Sequence, residues 1–245
     1  MTDGYQSFAR FYDGLMEDAR YDERCDQIIA LSKLFSHELG RTLDLCCGTG
    51  CLTRELKKRG VDVFGCDGSV DMLSEAVSNG GDLNILYICQ DMRELELGEE
   101  IDTCVCTMDS LNHLTDGNDL LKTFESVGAY LRRGGLFIFD VNTPYKHRVI
   151  LGNNDFVLEN DEVLCAWRNN LLENDIVEIN LDFFVNEGEH YTRLCESFTE
   201  RAYSGDELRS LLARAGFSVK GIYGDLSLEP PKDDEQRVVF VAEKL

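Results

Sequence analysis

Residues 41–69 read RTLDLCCGTGCLTRELKKRGVDVFGCDGS. An apolar run, Leu43–Cys46, meets a glycine-rich turn; an amphipathic stretch, Leu52–Arg59, follows, then a second apolar run, Val61–Cys66, and an acid, Asp67. The order predicts strand, turn, helix, strand. Glycines at 48 and 50 let the chain turn tightly and bring backbone N–H groups close to a ligand. An acid about twenty residues further on, at the end of the next strand, is placed to accept both hydroxyls of a ribose. Asp67 stands 19 residues after Gly48. The unit therefore predicts a site for a cofactor that contains a nucleoside.

Outward from this unit the same rhythm continues. Further strand candidates are Ile85–Cys89, Thr103–Thr107 and Leu136–Val141, separated by helix candidates at Val70–Ser78 and Asp116–Leu131. Continuous apolar strands alternating with helices predict a parallel sheet covered on both faces. An earlier helix, Asp22–Leu39, is predicted by Ile28, Leu31, Phe35 and Leu39, with Gly40 as its stop. After Pro144 the rhythm breaks. Val177, Ile179, Leu181, Phe183 and Val185 alternate with mostly polar residues, as in a half-solvated antiparallel strand. Asn186–Glu189 is its turn and Tyr191–Arg201 the return strand, and a second hairpin is expected around Glu159–Glu162. The αβ pattern resumes with Ser204-Gly-Asp-Glu207, a capping box opening a helix. Phe217–Tyr223 and Val238–Ala242 are the final strands.

Composition narrows the function. The 245 residues carry 24 Lys and Arg against 46 Asp and Glu, a net charge of −22. Such a surface repels phosphate backbones and anionic lipids, so nucleic acid is a disfavoured partner and a small molecule is the better one. The 10 cysteines include no Cys-x-x-Cys pair, and half of them sit inside apolar runs. They read as free thiols of a reducing compartment, and with no apolar leader or membrane-length run the expected location is cytoplasmic. No metal-ligand spacing is present, and none is expected. The exposed β-insert could pair across a homodimer.

A dinucleotide-dependent oxidoreductase would also use such a turn. Its Gly-x-Gly-x-x-Gly pattern fails at Thr53, and the chain contains no Tyr-x-x-x-Lys pair for hydride chemistry. The residues resemble instead the class I S-adenosylmethionine-dependent methyltransferases. LDLCCGTG resembles the first cofactor motif of that family, with Cys46 where a Gly is usual. VFGCDGSVDML resembles the second and CQDMRELEL the third. IDTCVCTMDSLNHL and LRRGGLFIFDVNTP are similar to its fourth and fifth strands, and LLARAGFSVKGIYGD with VVFVAEK to its closing reversed hairpin. YQSFARFYDGLM resembles an N-terminal Tyr-x-x-Phe-Ala-x-x-Tyr-Asp segment of a bacterial small-molecule subgroup.

The resemblance implies an α/β fold: a Rossmann-like, doubly wound sheet of seven strands, six parallel and the last antiparallel, with an inserted antiparallel β-layer after the fifth. Residues 1–40 would form a helical lid, 41–148 and 202–245 the cofactor domain, and 149–201 the insert on the acceptor side. The implied cofactor is S-adenosylmethionine, leaving as S-adenosylhomocysteine after in-line displacement on a small or medium-sized acceptor. A nicotinamide-dependent oxidoreductase and an S-adenosylmethionine-binding protein without catalysis are the remaining alternatives. The methionine end would lie against Asp44, Cys46, Gly48, Thr49 and Gly50. Asp67 would hold the ribose, with Gly68 and with Ser69, which also suits a helix N-cap. Met72 would pack under the adenine or in the core; Gln90, Asp91 and Met92 would flank the adenine. Thr107, Met108 and Asp109 would lie near the sulfur. Tyr5, Phe8 and Tyr12 would form a lid or an aromatic staple. His113 and Tyr203 are the candidates for acid–base help, His113 otherwise being a hydrogen-bonding residue only.

Overall fold

The computed structural model describes residues 19–245, so the aromatic segment with Tyr5, Phe8 and Tyr12 lies outside the described residues. Helices α1 (Tyr21–Leu34), α2 (Cys51–Lys58), α3 (Val70–Asn79), α4 (Gly117–Tyr130) and α5 (Gly205–Arg214) surround a seven-stranded sheet. Its strands are β1 (Arg41–Leu45), β2 (Asp62–Asp67), β3 (Tyr87–Cys89), β4 (Ile101–Cys106), β5 (Leu131–Asn142), β10 (Phe217–Gly224) and β11 (Arg237–Lys244), in the order β10-β11-β5-β4-β1-β2-β3. Neighbours are parallel except at β11, which runs antiparallel to both β5 and β10. A second sheet of four antiparallel strands, β6 (Asp155–Glu159), β7 (Val163–Leu171), β8 (Ile176–Asn186) and β9 (Tyr191–Arg201), interrupts the chain between β5 and α5.

The strands of the main sheet are continuously apolar because both faces are covered. In β5, Leu136 and Ile138 join Val239 and Val241 of β11 against Ile28 and Leu31 of α1 and Leu52 and Leu56 of α2. The alternate residues Phe137, Phe139 and Val141 face Phe124 and Val127 of α4 and Leu208 and Leu212 of α5. The small sheet has its own core on one face, including Val163, Cys165, Val177, Ile179 and Phe183. Side-chain caps set the helix starts: Ser69 accepts from the Met72 amide, Asp116 from Asn118, and Ser204 from Glu207.

The boundaries differ from the sequence reading in several places, the first being α1, which ends at Leu34 with Phe35 as its C-cap and not at Leu39. β3 is only three residues long, starting at Tyr87 rather than Ile85, with Leu86 exposed at the edge of the sheet. β5 begins at Leu131, where α4 ends, and runs through Gly134–Gly135 with a register shift against β4. The two hairpins of the insert are joined through β7–β8 pairing into one four-stranded meander.

Candidate active site

A cavity of about 880 Å³ opens where the C-terminal ends of β1, β2 and β4 face the inner side of the small sheet. That is at the upper end of small-molecule sites, about 300–1,000 Å³, and it has room for a nucleoside cofactor beside a second ligand. Asp44, Cys46, Gly48, Thr49, Asp67, Gly68, Ser69, Met72, Asp91, Met92, Thr107, Met108, Asp109 and His113 all line it. These residues lie far apart in sequence. Parallel strands bring them together because every strand ends at the same edge of the sheet.

The turn after β1 is built on left-handed backbone. Cys46, Gly48 and Gly50 have φ of 58°, 54° and 75°. The glycines take this conformation freely; Cys46 takes it at the cost of some strain, and its thiol lies 3.7 Å from the Met92 sulfur on the cavity wall. Asp67 ties this turn to the next: its Oδ2 accepts from the Gly48 amide at 2.8 Å and its Oδ1 from the Ser69 amide at 2.8 Å. Each oxygen retains a lone pair, and the carboxylate borders the cavity. Burial raises its pKa above the ordinary value, opposed by the amides of Ser69, Gly48 and Gly68. Asp44 is buried more deeply. Burial raises it from an ordinary 3.8 to about 7, against a lowering hydrogen bond from Thr53 Oγ1, 2.6 Å away.

The turn after β4 is held from beneath. Met108 and Asp109, both at positive φ, give their amides to Asp140 at 2.9 and 2.8 Å. Arg237 at the start of β11 reaches Asp140 Oδ1 at 3.2 Å and Asp109 Oδ1 at 2.8 Å, and Arg24 of α1 lies 3.6 Å from Asp140 Oδ2. For Asp109, burial would raise the pKa, but the charges of Arg237, Lys146 and His113 outweigh it and hold the carboxyl well below the carboxylate range.

Three sequence expectations are corrected. Tyr203 is no acid–base group for the site: it is 1% exposed in the main core, and its hydroxyl donates to the Leu114 carbonyl. The strand alternation ends at Arg201, so Tyr203 turns under α4 and α5 instead of toward the cavity. Tyr203→Phe is expected to cost about 1–2 kcal/mol by leaving that carbonyl unpaired. Turnover per folded molecule should stay within about twofold of wild type; a loss of about tenfold or more would return Tyr203 to the site. Gln90 does not line the cavity; its amide group is closed onto the Glu96 backbone by two hydrogen bonds of 3.0 and 2.9 Å. Gly50 is not part of the wall either. It starts α2, and a Cβ there would meet the Tyr87 hydroxyl at 2.5 Å.

The second half of the cavity was barely legible in the sequence. Leu158, Trp167, Ile179, Leu181, Phe183 and Phe198 of the small sheet form an apolar wall. At its base Asn142 donates to Asp109 Oδ2 at 2.7 Å and to Glu200 Oε2 at 3.3 Å, and Lys146 Nζ donates to Asn142 Oδ1 at 2.9 Å. Asp140 and Asn142 were visible only as polar breaks in the apolar run of β5. Arg237, 97 residues from Asp140, had no signal at all.

A family model described as a methyltransferase domain matches residues 42–135. YqeM of Bacillus subtilis (strain 168), assigned to the methyltransferases, is 33% identical over 243 residues, covering 98% of this chain and 97% of that protein. The crystal structure of an S-adenosylmethionine-dependent methyltransferase from Clostridium acetobutylicum ATCC 824 is 33% identical with a TM-score of 0.89, covering 98% of both chains. The glycine/sarcosine N-methyltransferase of Aphanothece halophytica is 27% identical over 226 residues, covering 87% of this chain and 80% of that enzyme. The chain belongs to the S-adenosylmethionine-dependent methyltransferases. Its cofactor is S-adenosylmethionine and the product left by that cofactor is S-adenosylhomocysteine. No helix among the described residues is long and apolar enough to cross a membrane.

Proposed function

We propose that the protein transfers the methyl of S-adenosylmethionine to a small or medium-sized acceptor held between the main sheet and the inserted sheet. The observation that carries this reading is the pairing, in one cavity, of the Asp67 carboxylate beside the glycine turn with an apolar wall some hundred residues later in the chain. Asp67 would take the ribose hydroxyls, Asp91 and Met92 the adenine, and the Asp44–Thr49 turn the methionine end. Thr107, Met108 and Asp109 would border the sulfur. The cofactor supplies an already activated methyl group, so the protein's share is alignment and exclusion of water. Residues 1–40 as a lid and 149–201 as the acceptor layer complete the proposal. A small acceptor is supported by the volume of the cavity and by the glycine and sarcosine named for the Aphanothece relative. Nothing in the fold or the relatives favours the nicotinamide or the non-catalytic reading.

Calorimetric titration with S-adenosylmethionine, S-adenosylhomocysteine and NADH tests the reading, and a folded protein that binds only NADH would sink it. The same titration across pH tests the place of Asp44. A carboxyl whose pKa is raised on folding contributes stability that is complete below its unfolded value and is lost as pH rises through the folded one, here from about 3.8 to about 7. A cation bound beside it reverses that loss by favouring the ionised form. Affinity for S-adenosylmethionine should therefore strengthen as pH rises toward about 7 and level off above it. Asp44→Asn should flatten the slope; an unchanged slope would place the cofactor's positive charges elsewhere.

A further inference from the structure

Glu200 lies at the end of β9, on the inner face of the small sheet, and borders the cavity at only 4% exposure. Its Oε1 is 3.7 Å from His113 Nε2, on the cavity side, and its Oε2 is 3.7 Å from Nε2 of the fully buried His147. His147 Nδ1 sits 2.7 Å from the Asp175 carbonyl, which can only accept, so Nδ1 carries a hydrogen. Nε2 has no hydrogen-bond partner. Glu200 Oε2 is taken up on this side by Asn142 Nδ2, which donates to it at 3.3 Å. The open side of Glu200 is then Oε1, turned toward His113 and the cavity.

The surroundings favour a cation there. Phe198 stacks obliquely on His113 with ring centroids 5.1 Å apart, and Trp167 and Phe183 continue the aromatic wall. Aromatic faces beside a carboxylate receive ammonium groups well. An anion would find little to bind. Lys146 is committed to Asn142 and lies against Asp109, and Arg93 is held by Asp91 and Asp119.

We propose that the acceptor is an amine with an apolar body, docked as its ammonium between Glu200 and His113. This rests on the methyltransferase reading above. The ammonium proton passes to His113 Nε2, and Glu200 Oε1 stabilises the imidazolium. The freed nitrogen lone pair forms the C–N bond as the methyl–sulfur bond breaks, the electron pair staying on sulfur as a neutral thioether. The positive charge of the sulfonium ends on the methylated nitrogen. Asn142, which donates to Oε2, is a positioning residue that holds Glu200, with His147 beside it.

Calorimetry on the full chain loaded with S-adenosylhomocysteine tests this with three probes of one size: benzylamine, benzyl alcohol and benzoate. Benzylamine should bind about tenfold or more tighter than benzyl alcohol, with benzoate weakest. Glu200→Gln should lose that preference while still binding S-adenosylhomocysteine, which also shows that the variant is folded. Alcohol or benzoate binding as tightly as the amine, no binding of benzylamine, or a preference that survives Glu200→Gln in a folded variant would each overturn the proposal. If the variant fails to fold, the wild-type ranking decides alone. S-adenosylhomocysteine binding is scored first: a folded wild type that fails there loses the methyltransferase reading, whereas one that binds it without preferring the amine loses only the amine.

Discussion

Asp67→Ala is expected to weaken S-adenosylmethionine binding by about 10²–10⁴-fold. A hydrogen bond to a charged group contributes about 1.5–3 kcal/mol, and two ribose hydroxyls would be released together. A second loss adds to the first. The same carboxylate holds the amides of Gly48 and Ser69, so its removal also frees the turn after β1 and the start of α3. Asp67→Asn should fall between the two, because the amide nitrogen would face one of those backbone donors instead of accepting from it. Calorimetric titration of both variants checks this, with circular dichroism to show that each is folded. An alanine variant within about threefold of wild type would mean that the ribose is held elsewhere.

Arg237→Met is expected to be among the most destabilising single changes in the described residues, by about 3–5 kcal/mol. The methionine would fill much of the volume, but Asp109 and Asp140 would face each other beneath the β4 turn with Arg24, Lys146 and His113 as the remaining basic groups nearby. For a chain of this length that corresponds to a fall in melting temperature of roughly 10 °C. The sign with pH follows from Asp109. In the wild type its pKa is depressed, so its contribution is present above the ordinary carboxylate value and lost as pH falls through the lower, folded one. In the variant, burial is no longer offset, the carboxyl is protonated more easily, and the deficit should shrink as the solution becomes acidic. Thermal melts of both proteins across pH decide it. A deficit below about 1 kcal/mol, or one that grows in acid, would show that Arg237 does not compensate these acids.

What the sequence determined by itself was whatever depends on near neighbours in the chain. Continuous apolar runs marked most of the main strands and a period of 3.6 most of the helices, and Ser69, Asp116 and Ser204 act as caps because a cap needs only the next turn of backbone. The glycine turn and Asp67 were readable for the same reason, since one strand–helix–strand unit fixes their separation. The alternation in β8 showed which side of the insert is apolar, and alternation along β9 put Glu200 and Arg201 on opposite faces. It did not show what that side would meet. Tertiary structure decided that Tyr203, two residues past Arg201, is core, that Gln90 closes a loop, and that Arg237 braces Asp140 from 97 residues away. It also assembled Glu200 with His113 and His147, which come from three different elements. Charge compensation and burial depend on distances across the fold, and no local pattern in the chain encodes them.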